Sequence, residues 1–264
     1  MRRFHKLRIL WVFLRIGAMN EMAYRANFFI QLFESLLNLG TALAVVAVVF
    51  QRTETLAGWT SAELVALVGV YFLVLGAISL VIAPSLERFM EDVRTGNLDF
   101  TLTKPEDAQF LVSFSEFRIW KSLDVVLGAG VLGAALARMS TEVGAGDALA
   151  FGIALLAGAT IVYSFWVVLA TLAFWFIRVE NILMIFWSMY AAGRWPVGIY
   201  PPWLRWTLTL VVPVAFAVTV PARAIGGRLE AETLAAALAL GAALFTFSRW
   251  FWRLGIRHYS GASA

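Results

Sequence analysis

The sequence predicts an all-α integral membrane protein with six transmembrane helices, and three observations predict it. The chain is 61% hydrophobic and only 14% charged, against about 25% charged residues in an ordinary soluble domain. Its mean hydropathy is +0.80. Apolar stretches recur along the 264 residues, several of them long enough to cross a hydrocarbon core of about 30 Å at about 1.5 Å per residue. The longest stretch between spans falls short of the smallest usual domain, about 50 residues, so residues 1–264 read as a single transmembrane domain.

The N-terminal residues 1–27 carry Arg2, Arg3, Lys6 and Arg8 before an apolar run that Arg15, Asn20 and Glu21 interrupt, with no A-x-A-like exit. This is not the pattern of a cleaved signal. Phe4, Leu7, Trp11, Leu14 and Ala18 recur at helical spacing, which fits an interfacial amphipathic helix or, equally, a basic flank of the first span. Span one is residues 28–50. Gln31, Glu34 and Asn38 fall on one face near its start, a face expected to turn toward protein. Glu34 reads either as a hydrogen-bonding group at headgroup depth or as a carboxylate on a substrate path.

Span two, residues 63–83, is expected to stop at Pro84, and Gly69, Gly76 and Ala83 form a small-residue seam for another helix. Residues 84–122 then face water. They hold Glu87, Arg88, Glu91, Asp92, Arg94, Asp99 and Lys104, and each such group costs about 2.5–3.5 kcal/mol at the centre of a bilayer. The part from 87 to 94 reads as a solvated extension of span two, and 109–122 as an amphipathic interfacial stretch. Spans three and four are residues 123–137 and 148–176. A short link containing Arg178 and Glu180 makes spans four and five an antiparallel hairpin. Span five, residues 181–193, is short. Residues 195–220 hold Pro196, Pro201, Pro202 and Pro213 and read as a re-entrant helical hairpin on the outer side, and span six is residues 234–252.

Charge sets the orientation. With six spans, Arg52, Arg138, Arg194, Arg205, Arg223 and Arg228 alone among the 21 Lys and Arg residues fall outside. Both termini are therefore expected in the cytoplasm. The same clustering at span ends explains the formal charge of +4 without nucleic acid. The chain has no cysteine, and both histidines, His5 and His258, lie in polar tails. It also lacks a P-loop, an H-E-x-x-H and a G-x-S-x-G. No metal, cofactor or catalytic residue is expected. Intramembrane carboxylates are nearly confined to Glu34, too few for the usual proton-coupled carrier. The chain reads as the membrane half of a machine powered elsewhere.

Residues 96–105, Gly-Asn-Leu-Asp-Phe-Thr-Leu-Thr-Lys-Pro, resemble the G-x-L-D-x-x-L-x-x-P signature between spans two and three of permeases of type 2 ABC exporters. Tyr24, Arg25, Ala26, Asn27 and Phe28, the proline-rich 194–202 region and the Arg257, His258, Tyr259 tail are similar too. The resemblance implies a second permease copy or paralogue, and a separate ATPase subunit that carries ATP and Mg. It makes 96–105 the coupling segment on that ATPase, with Leu98, Phe100 and Leu102 as apolar contacts, Asp99 and Lys104 as polar ones, and Gly96 and Pro105 as its bounds. The bland alternative is a solvated turn. Gln31, Glu34, Asn38, Trp187, Tyr190 and Trp195 are candidate contacts on a path for amphipathic, lipid-like or drug-like cargo; an aromatic belt explains the last three as well. A small lipid-modifying membrane enzyme and a non-transporting scaffold are the rival readings. The expected location is the cell membrane.

Overall fold

The computed structural model describes residues 2–22, 25–139, 144–176 and 180–259; Tyr24 and Arg178 lie outside them. Apart from one β-bridge, Leu56 with Trp59, the regular elements among the described residues are helices. The helix α1 (Arg2–Met22) precedes α2 (Asn27–Phe50), α3 (Ser61–Thr95), α4 (Ile119–Leu136) and α5 (Ala145–Phe174). There follow α6 (Glu180–Tyr190), the pair α7 (Pro202–Val211) and α8 (Ala215–Ile225), and α9 (Ala231–His258). Five of these, α2 to α5 and α9, are long and apolar enough to cross a membrane, and the number rises to six if α7 and α8, bent by 80° at their break, count as one span. The short fifth stretch of the sequence forms the 11 residues of α6 and a 3₁₀ turn, Ala191–Arg194.

The bundle is built around α3. Thr60 and Glu63 form a capping box at its start, with Thr60 N–H donating to Glu63 Oε2 at 2.7 Å, so two orphan donors of the helix end are satisfied. The helix does not break where the apolar span was expected to stop, at Pro84, but runs on to Thr95 and so takes in the helical extension expected over residues 87–94. Its middle widens into a π turn, Ile78–Ile82, that ends two residues before the proline. A proline has no N–H and its ring crowds the carbonyl four residues back. Here that carbonyl, on Leu80, accepts the Arg118 N–H at 2.9 Å instead. The same arrangement recurs twice. A π turn at Thr207–Val211 precedes Pro213, where the chain bends, and one at Ala215–Thr219 precedes Pro221, through which α8 continues.

The seam of small residues on α3 meets α4. A Cβ at Gly69 would lie 2.7 Å from the Leu132 nitrogen, and one at Gly76 would lie 2.6 Å from the Val125 nitrogen. Gly128 answers from the other side, with a hypothetical Cβ 2.4 Å from the Leu73 nitrogen. The two backbones are therefore in contact, the geometry that small residues permit between membrane helices. On the other flank, α8 packs its Phe216 carbonyl against Gly158 of α5, and α9 lies along α5.

α1 forms, but its exposed apolar surface is wider than one stripe. Trp11 and Leu14 are exposed on one face, and Val12, Ile16 and Met19 on another. Gly17 turns toward Phe117, whose carbonyl would sit 2.8 Å from a Cβ there, and Glu21 accepts the Trp120 N–H at 2.9 Å. Burial raises the Glu21 carboxyl above its ordinary value, against the lowering effect of that hydrogen bond.

Candidate functional site

At one end of α3, Gly96 terminates the helix in the left-handed region, φ 79°. The chain can then reverse, and the Leu98 N–H donates back to the Asp92 carbonyl at 3.1 Å. One helical turn, Asp99–Leu102, follows. The expectation that Leu98 is an exposed contact is corrected: its side chain is fully buried, because the left-handed turn at Gly96 folds it back under the end of α3. Leu102 is half-buried against the same core. Phe100 is the apolar side chain that projects, at 73% exposure, with Lys104 and Pro105 also exposed. An L-residue in the left-handed region costs about 1–2 kcal/mol unless it is Asn or Asp. Gly96→Val is therefore expected to lower the thermal midpoint of the purified protein and Gly96→Asn to retain most of it, as read by differential scanning fluorimetry.

The turn is mounted stiffly. Asp107 caps the next helix, Ala108–Ser113, by accepting the Phe110 N–H at 2.9 Å. The same carboxylate is gripped by both terminal nitrogens of Arg249 from α9, one of them at 2.9 Å, and Arg249 also donates to Gln109 Oε1 at 2.8 Å. On the adjoining segment Arg118 pairs with Glu87 at 2.9 Å, and Ser85 Oγ donates to the Glu116 carbonyl at 2.9 Å. The phenol of Tyr259, after α9, is raised above its ordinary value by burial and by the neighbouring Asp99. The 96–105 turn thus connects α3 to α9.

The second feature is a cavity of about 250 Å³ lined by Glu34, Ser35 and Asn38 of α2, Phe72, Leu75 and Ser79 of α3, Lys121 and Asp124 of α4, Trp187 of α6, and Arg194. It brings together three residues singled out from sequence: Glu34, Asn38 and Trp187. The other three do not line it. Gln31 is half-buried with an Oε1 that has no partner among the described residues, and Trp195 packs against the core. Tyr190 is fully buried, stacked on Tyr71 with ring centroids 5.1 Å apart and its hydroxyl donating to the Tyr71 carbonyl at 3.2 Å.

Asp124 and Arg194 are functional candidates that sequence reasoning passed over. Asp124 is buried beside Gly76 and faces Lys121 at 3.9 Å. Arg194, counted by charge on the outer side, is half-buried over the ring of Tyr71, 5.4 Å from its centroid. Tyr71 is about 15 Å along α3 from Ser61 at about 1.5 Å per residue. At the far end of α3, Arg228 pairs with Glu63, donates to the Gly58 carbonyl at 2.6 Å and lies over Trp59. No cluster of three or more His, Cys, Asp or Glu suited to a metal occurs among the described residues.

The chain has no match among curated proteins. Residues 36–263 match the family described as ABC-2 family transporter protein. That match runs from within α2 to α9 and includes the 96–105 turn and all the cavity lining except Glu34 and Ser35, and it agrees with the multi-pass helical architecture. The chain belongs to the ABC-2 transporter family, as a multi-pass permease component of membrane transport.

Proposed function

We propose that the chain is the transmembrane subunit of an ATP-driven exporter. In this reading a separate ATPase subunit holds ATP and Mg, and two permease copies, identical or paralogous, form the path between them. The observation that carries the coupling is Phe100: a large apolar side chain held in water on a single helical turn whose neighbour Leu98 is locked in the core. A single exposed aromatic is common on a protein surface, and what singles this one out is its mounting on a turn fixed directly to α3 and, through the segment that follows, to α9. Because the turn is tied to α3 by backbone and to α9 by Arg249 and Asp107, a push on Phe100 moves two spans as rigid bodies.

The second copy is supported by α2. Glu34 and Asn38 are exposed on it, next to the exposed Phe33 and Leu37. A carboxylate left in hydrocarbon is unfavourable by about 2.5–3.5 kcal/mol, whereas a second permease or a watery path would cover it. The amphipathic class of cargo follows from a polar cavity set within an apolar bundle.

The test is co-expression with P-loop ATPase subunits of the same genome and purification in mild detergent. The wild-type chain is expected to retain an ATPase and to raise its turnover. Phe100→Asp, which changes only an exposed side chain, is expected to lower that stimulation about tenfold or more, corresponding to about 1.4 kcal/mol of lost contact. If the variant stimulates as well as the wild type, the coupling role of the turn is wrong.

A further inference from the structure

The charges around the polar cavity are unevenly matched. Lys121 and Asp124 face each other at 3.9 Å, and the buried Asp124 is thereby compensated. Glu34 and Arg194 line the same cavity, yet no ion pair joins them. Glu34 has no hydrogen-bond or ion-pair partner among the described residues, and the Arg194 Nε is buried with no hydrogen bond. A buried donor without a partner is unfavourable by about 1–3 kcal/mol, more when it is charged. An unpaired carboxylate and a guanidinium that lies against the Tyr71 ring without an ion-pair partner, held apart on the walls of one space, are complementary to a ligand that carries both charges.

Size and access narrow the ligand further. At about 250 Å³ the space is below the 300–1,000 Å³ or so that holds a whole drug-sized molecule. A headgroup fits it and an entire amphiphile does not. Its mouth is at Glu34 and Asn38, exposed on α2, and the flanking Phe33 and Leu37 are exposed at 68% and 58%. This mouth opens sideways on the α2 side, into the path shared with the second copy proposed above, with apolar surface beside it for acyl chains.

We infer that the cavity between α2, α3, α4 and Arg194 receives the headgroup of a zwitterionic phospholipid, the ammonium on Glu34 and the phosphate on Arg194, with the tails along α2. Trp187 closes the wall beside them. That this lipid is carried and not merely held rests on the transport reading above.

Native mass spectrometry of the purified permease alone, with no ATPase or nucleotide, tests the site. It is offered equal amounts of phosphatidylethanolamine, phosphatidylglycerol and diacylglycerol with the same chains. Phosphatidylethanolamine is expected to occupy the protein about tenfold over either competitor, a difference of about 1.4 kcal/mol. Glu34→Gln, at an exposed position, is expected to bring phosphatidylethanolamine down to the level of phosphatidylglycerol. Arg194→Gln is expected to weaken both phospholipids, with Arg194→Lys restoring part of the binding. Free phosphoethanolamine, which lacks the tails, is expected to compete only at about tenfold or higher excess. Equal occupancy by the two phospholipids in the wild type, an undiminished preference in Glu34→Gln, or competition by free phosphoethanolamine at parity would each overturn the assignment. Since the ATPase is absent, such a result is separate from a failure of the coupling experiment.

Discussion

Gly128→Leu is expected to abolish the folded protein while leaving synthesis and insertion intact. The first atom of any side chain at Gly128 would lie 2.4 Å from the Leu73 nitrogen and 2.7 Å from the Gly69 carbonyl oxygen. Both are backbone atoms of a helix, so neither can turn aside as a flexible side chain could. Added methylenes in a close-packed interior cost about 1–3 kcal/mol even where side chains can adjust. Here α3 and α4 must separate along their whole seam, since Gly69 and Gly76 bring the same backbones together. Whole domains are stable by only about 5–15 kcal/mol, and a wedge of four carbons at the closest point is expected to exceed what the pair can absorb. The measurement is fluorescence-detected size-exclusion chromatography of the tagged protein, where the monodisperse peak should vanish. Gly130→Ala is the control. Nothing lies within 4 Å of a Cβ there, and alanine favours a helix over glycine by about 0.8–1.0 kcal/mol, so this variant should elute as the wild type does.

Arg249→Met is expected to uncouple the protein without unfolding it. Its side chain grips Asp107 with both terminal nitrogens and holds Gln109 as well, joining α9 to the segment beside the projecting turn. Each partner is about one-third exposed, at 33% and 31%. The loss therefore falls between the 3–5 kcal/mol or so for breaking a buried pair and the 0–1 kcal/mol or so of a surface one. Asp107 keeps its bond to the Phe110 N–H, so the short helix it caps should survive. In the coupling proposed above, what is lost is the link through which movement at Phe100 would reach α9. The expected result is a protein that still binds its ATPase, since Phe100 is untouched, but whose transport per ATP hydrolysed falls about tenfold, a loss of about 1.4 kcal/mol in coupling. Arg249→Lys should recover only part, because an ammonium cannot reproduce the two-pronged contact. Undiminished coupling in Arg249→Met would show that α9 takes no part in transmission.

Much of the architecture was legible because hydrophobic periodicity and charge act locally. The seam at Gly69 and Gly76 could be read from spacing alone, and the charged run that begins at Glu87 from composition. Errors arose where a local signal had two outcomes. Pro84 reads as a helix stop, yet a π turn and the N–H of Arg118 let the helix pass through it. Leu98 reads as an exposed contact beside Phe100, but the left-handed Gly96 turns one inward and the other outward.

By itself the sequence determined the class of molecule: an all-helical, multi-pass membrane protein with a charged turn between two spans and few groups capable of chemistry. Those properties depend on composition and on neighbours three or four residues apart, which every helix enforces. Only the tertiary structure decided that Gly128 is the partner of Gly69, that Arg249 reaches Asp107 across 142 positions, and that Glu34, Asp124 and Arg194 border one cavity. These depend on which helix faces lie against each other. The bilayer makes nearly all such faces alike in hydrophobicity, so close packing and the pairing of a few charges select among them.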